Sequence, residues 1–377
     1  MAADIAHSWA AEFPILQSWV HLDIANKCPL PRSVAAAVSS FVADAAAHPG
    51  DKDGWKAKGE RLRARLAGLV GAAPAEIAFV PNTSEGLNCI AAALDLPAGS
   101  NVVTHVREHP NNLYTWLHLR RKGIDVRLAG TPDGPVRIED LLARIDRRTR
   151  VVAVSAVSYC TGARLDMAEL SAACRARGAL LVVDAVQGMG VVEIDVKQLG
   201  IDVLVCGGQK GLLSLHGLGM LYCRGDVVRG LVPAYAARSS LASRAIDRDH
   251  LEFRPDAARF EAGNLNYAGI HALDAALDII LGTGVAAIQA HVLAVARALM
   301  EGLASRGVEI VTPQEDAQRA GIVVFRSAAA EATAARLRAR HVIVSAIDGC
   351  VRAAPHGYTS LRQIEAFLVA LDEARRC

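Results

Sequence analysis

Short apolar runs alternate with amphipathic stretches along residues 1–283. Runs rich in Val, Ile, Leu and Ala predict strands, which lie at 20–24, 77–80, 101–105, 124–128, 151–155, 180–183 and 201–206. Helical spacing of apolar residues, or alanine-rich composition, predicts helices at 33–47, 53–70, 87–94, 138–147 and 268–281. Strands that alternate with helices are typical of an α/β fold, here with a mostly parallel sheet between helices.

The pattern changes at about residue 284. Three longer helices, at 287–305, 330–340 and 360–375, now enclose short strands at 308–312, 321–326, 342–347 and 350–354. This pattern predicts a smaller α+β domain. We therefore divide the chain into a large domain at 15–283 and a small domain at 284–377, to which residues 1–14 also belong.

Composition narrows the class of protein. The 377 residues are 52% apolar and 21% charged, which is globular composition, and a net charge of +2 gives no reason to expect a nucleic-acid partner. The eight cysteines are scattered without a C-x-x-C pair, so we expect neither disulfides nor a metal site. The N-terminus lacks a signal-peptide pattern, and no uncharged apolar stretch could span a bilayer. We expect a cytoplasmic protein without a membrane partner.

An acid and an amine follow two of the predicted strands. Asp184 comes directly after strand 180–183, and Lys210 lies on a Gly-Gly-Gln turn after strand 201–206. The carboxyl ends of parallel strands are where such sheets bind ligands, so both side chains should face one crevice. Leu212 and Leu213 flank the lysine, which favours desolvation, a lowered pKa and nucleophilic attack on carbonyls. These features predict Schiff-base chemistry.

The same stretch resembles a known family. The D-A-x-Q motif at 184–187, the Q-K pair at 209–210 and the HGLGMLY segment at 216–222 are similar to the class V aminotransferase and cysteine desulfurase group of fold-type I pyridoxal-phosphate enzymes, within it the isopenicillin N epimerase-like branch. The resemblance implies a pyridoxal 5'-phosphate cofactor, with Lys210 forming the Schiff base and Asp184 pairing with the pyridine nitrogen. Taken singly, Asp184 could be a strand-end cap and Lys210 a solvated loop lysine.

Further cofactor-binding residues follow from the resemblance. Thr83 and Ser84 lie in an N-T-S-E-G turn before a helix, where free backbone amides favour a phosphate, although an ordinary N-cap uses the same residue types. His109 follows Glu108 in an E-H pair; by the resemblance it would stack over the pyridine ring and relay a proton, whereas a lone histidine is more often structural. Gln209, directly before the lysine, would reach the phosphate as in some aminotransferases of the class.

Several positions depart from the family pattern. Tyr159 replaces an asparagine that contacts the ring hydroxyl in many relatives, so Gln187 becomes the other candidate for that contact. Gly207 and Gln209 stand where relatives often carry serine and histidine, and this favours the aminotransferases over the desulfurases. Asn264 replaces the threonine of an F-E-x-G-T-x-N motif, which in relatives reaches the phosphate of the neighbouring subunit. The resemblance therefore implies a homodimer with shared active sites; the alternative is a simple turn residue.

Arg352 is the candidate for binding the substrate. It lies in a segment similar to the family's R-x-S-x-H-x-Y-N element, where a guanidinium holds the substrate carboxylate in a fork of hydrogen bonds. Its small apolar neighbours would leave the charge unpaired without an anion. The loop that contains Asn26 borders the substrate site in the resembling family.

The reaction is the least determined feature of the sequence. The loop that carries the reactive cysteine of desulfurases looks deleted before Arg352, and we do not expect strand alternation to bring Cys350 into the pocket. We predict an enzyme that acts at the α carbon of an amino acid through Lys210, with class V aminotransferase-like transfer first. An epimerase and a C–S lyase or cysteine desulfurase-like enzyme are the alternatives, and a non-catalytic binding protein of the same fold is a third.

Overall fold

The computed structural model describes residues 5–243, 245–246 and 248–376. A seven-stranded sheet lies at the centre of residues 77–223. Its strands are β2 (Ile77–Val80), β3 (Asn101–His105), β4 (Asp125–Ala129), β5 (Thr149–Ser155), β6 (Leu180–Asp184), β7 (Val203–Gly207) and β8 (Gly219–Cys223). The remaining strands are β1 (Val20–His21), β9 (Val323–Arg326), β10 (Val342–Ile343), β11 (Ser345–Ile347) and β12 (Cys350–Ala353).

The sheet order is β2-β8-β7-β6-β5-β3-β4. The four pairings that join β7, β6, β5, β3 and β4 are parallel, and β8 alone runs antiparallel to its two neighbours. The prediction of a mostly parallel sheet is confirmed. Because β5, β6 and β7 are parallel neighbours, their carboxyl ends meet at one edge.

Both faces of the sheet are buried, which explains why its strands read as continuous apolar runs. Alternate residues of one strand enter different cores: Leu181 and Val183 of β6 pack on one side, and Val182 packs on the other. Helices cover both faces. The helices are α1 (Ile5–Trp9), α2 (Arg32–Ala47), α3 (Lys52–Leu69), α4 (Thr83–Ala93), α5 (Pro110–Leu117), α6 (Ile138–Leu142), α7 (Met167–Arg175), α8 (Gly225–Gly230), α9 (Tyr267–Thr283), α10 (Val285–Ala304), α11 (Ala330–Arg338) and α12 (Leu361–Arg376).

The C-terminal part has a small sheet and core of its own. Strands β11, β12 and β9 form an antiparallel sheet in that order, and helices α10, α11 and α12 pack with it around a third apolar core. The strand expected at 308–312 is reduced to a single bridge between Ile310 and Phe325. The division into two domains stays a prediction, although β1, which we placed in the large domain, pairs with β10.

Helix α10 is long and apolar enough to cross a membrane by length and composition alone, which is weak evidence. It contains Arg297 and Glu301, and Arg297 forms an ion pair with Asp316. Its buried residues Val295 and Leu299 lie in the C-terminal core. The helix therefore has a packing role in this fold.

Candidate active site

Lys210 lies on a tight turn just beyond the end of β7. The amide of Leu213 donates to the carbonyl oxygen of Lys210 (2.8 Å). Leu213 has a φ of 58°, a backbone angle that residues other than glycine rarely adopt. The amide of Cys28 donates to the carbonyl oxygen of Gln209 (3.0 Å). The backbone on both sides of the lysine is therefore fixed by hydrogen bonds.

Burial lowers the pKa of Lys210 to about 8. The carboxylates of Asp184 and Asp23 oppose this shift, whereas the charge of Arg352 adds to it. A lysine with an ordinary pKa near 10.4 is almost entirely protonated at neutral pH. The surroundings of Lys210 thus provide a fraction of neutral amine that can act as nucleophile or base, as the sequence predicted.

Asp184 ends strand β6 and is buried. Its Oδ1 accepts a hydrogen bond from the amide of Val186 (2.9 Å). Burial raises the pKa of Asp184 to about 6, and the Val186 amide and Lys210 oppose the rise. A cationic ring nitrogen beside this carboxylate would lower its pKa and be stabilised in return.

The amino end of α4 leaves a hydroxyl group unsatisfied. Asn82 is the N-cap, because its side-chain oxygen accepts from the amide of Glu85 (2.9 Å). Capping therefore does not use Thr83 or Ser84. The hydroxyl of Thr83 is buried and has no hydrogen-bond partner among the described residues. Asn82 thus fills the capping role, and the hydroxyl of Thr83 stays available to an anion; its role as a phosphate ligand stays a prediction.

Close packing brings the beginning of α4 against β7. A Cβ atom on Gly86 would lie 2.4 Å from Cγ1 of Val205. A residue other than glycine would push the helix away from the strand. This contact holds Thr83 and Ser84 beside the strand that leads to Lys210.

Gly207 and Gln209, two departures from the family pattern, are in contact. A Cβ atom on Gly207 would lie 2.3 Å from Oε1 of Gln209, so the glutamine side chain folds over the glycine. A serine at position 207 would displace it. The glutamine therefore occupies the space that a residue-207 side chain would need.

His109 and Tyr159 form the aromatic side of the site. His109 is the N-cap of α5 and its Nδ1 accepts from the amide of Asn111 (3.2 Å). Its ring meets Tyr159 edge to face, with centroids 4.9 Å apart. Burial lowers the pKa of His109, and the charges of Lys210 and Arg352 add to the effect. A neutral imidazole is suited to stacking on a cationic ring.

Glu108, which the sequence interpretation did not include among the site residues, lies buried behind His109. Its Oε1 accepts from the amide of Ser155 (2.7 Å), and its Oε2 accepts from the Ser155 hydroxyl and from the side chain of Asn112 (3.0 Å). Burial raises the pKa of Glu108 to about 7, and the nearby Asp184 contributes. The E-H pair was the sequence signal that could have indicated Glu108, but we assigned a role only to the histidine of that pair.

Arg352 projects from β12 into buried surroundings. Its Nη1 donates to the carbonyl oxygen of Tyr159 (3.2 Å), and its Nη2 lies 3.5 Å from Oδ1 of Asp23. Its Nε is buried and has no partner in the part of the chain that the structure describes. Burial lowers the pKa of Arg352, so the existing partners do not fully compensate the buried charge.

Asp23 is a second residue that the sequence interpretation missed. Both of its carboxylate oxygens accept from the hydroxyl of Ser345 (2.8 Å), and Asn26 donates to Oδ2 (3.3 Å). Burial raises the pKa of Asp23, and the hydroxyl of Ser345 and the charge of Arg352 oppose the rise. Its place at the end of the predicted strand 20–24 was the only sequence signal. Asn26 thus contacts the acid that accompanies Arg352.

The roles predicted for Gln187 and Asn264 stay predictions, and each side chain makes a hydrogen bond within the protein. The side-chain amide of Gln187 donates to the carbonyl oxygen of Ala25 (2.9 Å), so one of its two amide hydrogens is already used. Asn264 is exposed, and its Oδ1 accepts from Nζ of Lys52 (3.2 Å). The structure couples Lys210, Asp184, His109 and Arg352 electrostatically, whereas Asn264 shows no interaction with this group.

The described cysteines are all buried, and burial raises the pKa of each of these thiols: Cys28, Cys89, Cys160, Cys174, Cys206, Cys223 and Cys350. Cys350 and Arg352 are two residues apart on β12, so strand alternation places them on the same face, contrary to our argument from alternation. Burial and protonation, not alternation, limit the reactivity of Cys350.

Over residues 20–366 the chain matches the family described as aminotransferase class-V. It is 32% identical to a probable cysteine desulfurase of Methanothermobacter thermautotrophicus, over 96% of each chain. It is 29% identical to the uncharacterized aminotransferase YcbU of Bacillus subtilis, over 96% of this chain and 95% of that one. The apo structure of a cysteine desulfurase from Thermococcus onnurineus superposes with a TM-score of 0.90 at 28% identity, over 98% of both chains.

Proposed function

This chain belongs to the class V aminotransferase family of pyridoxal-phosphate enzymes, and from that premise we propose that it removes the α proton of an amino acid and transfers the amino group to a keto acid. The observation that carries the proposal is the placement of Asp184 at the end of β6 and of Lys210 just beyond its parallel neighbour β7, with the buried Arg352 held at the carbonyl of Tyr159. These residues suffice for chemistry at the α carbon, and a reactive protein thiol is not needed.

The side chains fit pyridoxal phosphate. Thr83 has a buried hydroxyl without a partner among the described residues, at a helix N-terminus that favours a phosphate. Asp184 is a buried acid that would hold the ring nitrogen, and Lys210 is a partly neutral amine that would hold the aldehyde carbon. His109 would cover one face of the ring. When bound, the cofactor supplies an electron-poor ring that accepts the electrons left at the α carbon.

Arg352 would bind the substrate carboxylate. Tyr159 and Asp23 already hold its two Nη groups, and Nε remains the buried donor without a partner within the described ranges. A carboxylate at Nε would supply the missing compensation for the buried charge. Asp23 would keep the guanidinium in place without satisfying it.

Lys210 would act as the base. The pKa of about 8 places its neutral amine within reach of neutral pH, where a base of matched pKa is most effective. The amine takes the proton from the α carbon and can return it at another atom. Amino-group transfer, epimerisation and β-elimination share this first step.

A C–S lyase is the second candidate, and the similarity to cysteine desulfurases favours it. Several relatives are named cysteine desulfurase. In this chain the described thiols are buried, and β11 runs into β12 through a tight turn instead of a mobile loop. With cysteine as the substrate, Lys210 would remove the α proton and the Cβ–S bond would break, so sulfur would leave as free hydrosulfide with pyruvate and ammonia after hydrolysis.

Exchange of the α proton with deuterated solvent tests the shared first step. For the amino acid in a panel that exchanges fastest, we expect Arg352→Ala to raise KM roughly 10- to 100-fold, because hydrogen bonds to charged groups contribute about 1.5–3 kcal/mol. Arg352→Lys keeps the positive charge but loses the forked guanidinium, so its KM should lie between those of the wild type and Arg352→Ala. An unchanged KM in Arg352→Ala would remove this residue from the substrate site.

A further inference from the structure

We propose that His356 is a positioning residue for Lys210, acting through the backbone carbonyl of the next residue, Gly211. The inference rests on the proposed role of Lys210 as base. His356 lies four residues beyond Arg352, so the same segment of chain would hold both the arginine that binds the substrate and the turn that carries the lysine.

Two backbone groups fix the imidazole of His356 in one tautomer. Nδ1 lies 2.6 Å from the amide of Gly357, which can only donate. Nε2 lies 2.9 Å from the carbonyl oxygen of Gly211, which can only accept. The proton must therefore be on Nε2, and the ring acts as a bridge between the C-terminal segment and the lysine turn.

The peptide group of Gly211 has little room to move, and any movement would alter its hydrogen bond with His356. A Cβ atom on Gly211 would lie 2.3 Å from the carbonyl oxygen of Met189, and a Cβ atom on Gly190 would lie 2.3 Å from the carbonyl oxygen of Gly211. The peptide thus packs directly against the backbone of residues 189–190. His356 supplies the hydrogen bond that satisfies its carbonyl on the other side.

The bridge is shielded from water. The ring of Trp9 lies 5.4 Å from the ring of His356, and a Cβ atom on Gly357 would lie 2.5 Å from Trp9. His356 is fully buried, and burial lowers its pKa to about 4; the bond to Gly211 opposes this shift and nearby His291 adds to it. The imidazole therefore stays neutral, and its tautomer constant, at neutral pH.

Two substitutions at position 356 distinguish the hydrogen bond that Nε2 donates to Gly211 from the one that Nδ1 accepts from Gly357. The side-chain amide of glutamine extends as far as Nε2 and can still donate to Gly211, so His356→Gln should keep the bridge. Asparagine reaches only as far as Nδ1, so His356→Asn should keep the contact with Gly357 and lose the bridge. Tyr358→Phe is the matched control, since it removes a neighbouring buried hydrogen bond, to Nδ1 of His21 (2.8 Å), without touching Gly211.

The first readout is the pKa of Lys210 in the cofactor-free protein, measured by trace acetylation across pH with peptide mass spectrometry. In His356→Asn we expect water to reach the loosened turn and the pKa of Lys210 to rise toward its ordinary value near 10.4. In His356→Gln and Tyr358→Phe it should stay at the wild-type value. This measurement does not depend on the reaction, so it can fail while the proposed function holds, and the converse.

The second readout is turnover of the loaded enzyme. Misplacement of a catalytic group by about 1 Å costs up to about 10²-fold in rate, so His356→Asn should lower kcat by about that factor with little change in KM. His356→Gln should recover most of it. Equal behaviour of the Asn and Gln variants in both readouts would overturn the proposal.

Nitrogen NMR of the wild-type protein provides a test that needs no folded variant. We expect His356 to show the neutral tautomer with the proton on Nε2 down to about pH 5, well below the ordinary histidine pKa of about 6.5. A proton on Nδ1, or titration near pH 6.5, would overturn the proposal.

Discussion

Thr83 and Arg352 each carry a buried polar atom without a partner in the described part of the chain. Neighbouring groups do have partners, since Asn82 caps α4 and Asp23 forms an ion pair with the guanidinium of Arg352. Unsatisfied buried donors cost about 1–3 kcal/mol each. At the scale of single residues, these two atoms are therefore available to a ligand, which the proposed cofactor phosphate and substrate carboxylate would supply.

Thr83→Val tests this view of the hydroxyl. We expect the free energy of unfolding of the cofactor-free variant to be unchanged or higher by about 1 kcal/mol, because the substitution removes an unsatisfied hydroxyl. Its affinity for pyridoxal phosphate should fall roughly 10- to 100-fold, through the loss of a hydrogen bond to a charged group. Denaturant unfolding and cofactor titration measure the two effects.

Asn82→Ala is the matched control, and we expect the opposite result for stability. Loss of the cap should lower the free energy of unfolding by about 1 kcal/mol. If Thr83→Val destabilised the cofactor-free protein as much as Asn82→Ala, the hydroxyl would belong to the fold and not to the ligand.

The sequence predicted residues whose roles follow from their own segment. Lys210 and Asp184 stand at strand ends, and this position alone indicates a crevice. Glu108 and Asp23 could not be assigned in this way, because their partners Ser155 and Ser345 are distant in the chain. The steric link between Gly207 and Gln209 was also hidden, since it depends on how one side chain folds back.

At the scale of elements, the hairpin of β11 and β12 is the feature that bears on the proposed reaction. Its turn consists of Asp348 and Gly349, both with positive φ, as in the shortest hairpin turns. Ser345 is paired with Arg352 across the hairpin. The element therefore holds the arginine rigidly and leaves no flexible segment there for a mobile thiol.

Cys350→Ala tests the consequence for sulfur chemistry. With cysteine as substrate, we expect kcat to change by less than about tenfold, the equivalent of 1.4 kcal/mol, because the buried thiol does not contact the reacting atoms. Mass spectrometry of the wild-type protein during turnover should detect no persulfide on Cys350. Cys160→Ala, which removes the thiol beside Tyr159, is the control. Loss of turnover in Cys350→Ala alone would restore the desulfurase mechanism.

The pattern of apolar runs predicted every strand of the central sheet except β8, because the other six strands are short and mostly buried on both faces. It did not predict the pairing of β1 with β10, since two residues of strand carry too little pattern. The prediction of a strand at 308–312 was wrong, since this segment makes only the one bridge between Ile310 and Phe325. Strand β1 and the segment 308–312 both have few partners in a sheet, which leaves little pattern in the local sequence.

At the scale of the whole molecule, Asn264 lies on the surface, and its side chain accepts a hydrogen bond from Lys52. This placement is compatible with the prediction that Asn264 completes the site of a second subunit in a homodimer. That prediction remains to be tested, and it has a direct consequence for mixed subunits.

Mixing Asn264→Ala protein with Lys210→Ala protein, under conditions that allow subunit exchange, should restore activity that neither variant has alone. In a hybrid, one site combines an intact Lys210 with an intact Asn264 from the other subunit. Each variant mixed with itself is the control. Full activity of Asn264→Ala alone, or no recovery despite exchange, would contradict a shared site.

In the proposed reaction, Lys210 removes the α proton and the amino group stays with the enzyme until a keto acid accepts it. It is tested most directly by incubating the cofactor-loaded protein with its amino acid in the absence of a keto acid. Single-turnover conditions should yield about one keto acid per subunit and no ammonia, and Lys210→Ala should yield none. Continued release of pyruvate with equal ammonia would contradict amino transfer and favour the lyase, and undiminished product from Lys210→Ala would contradict the role of the lysine.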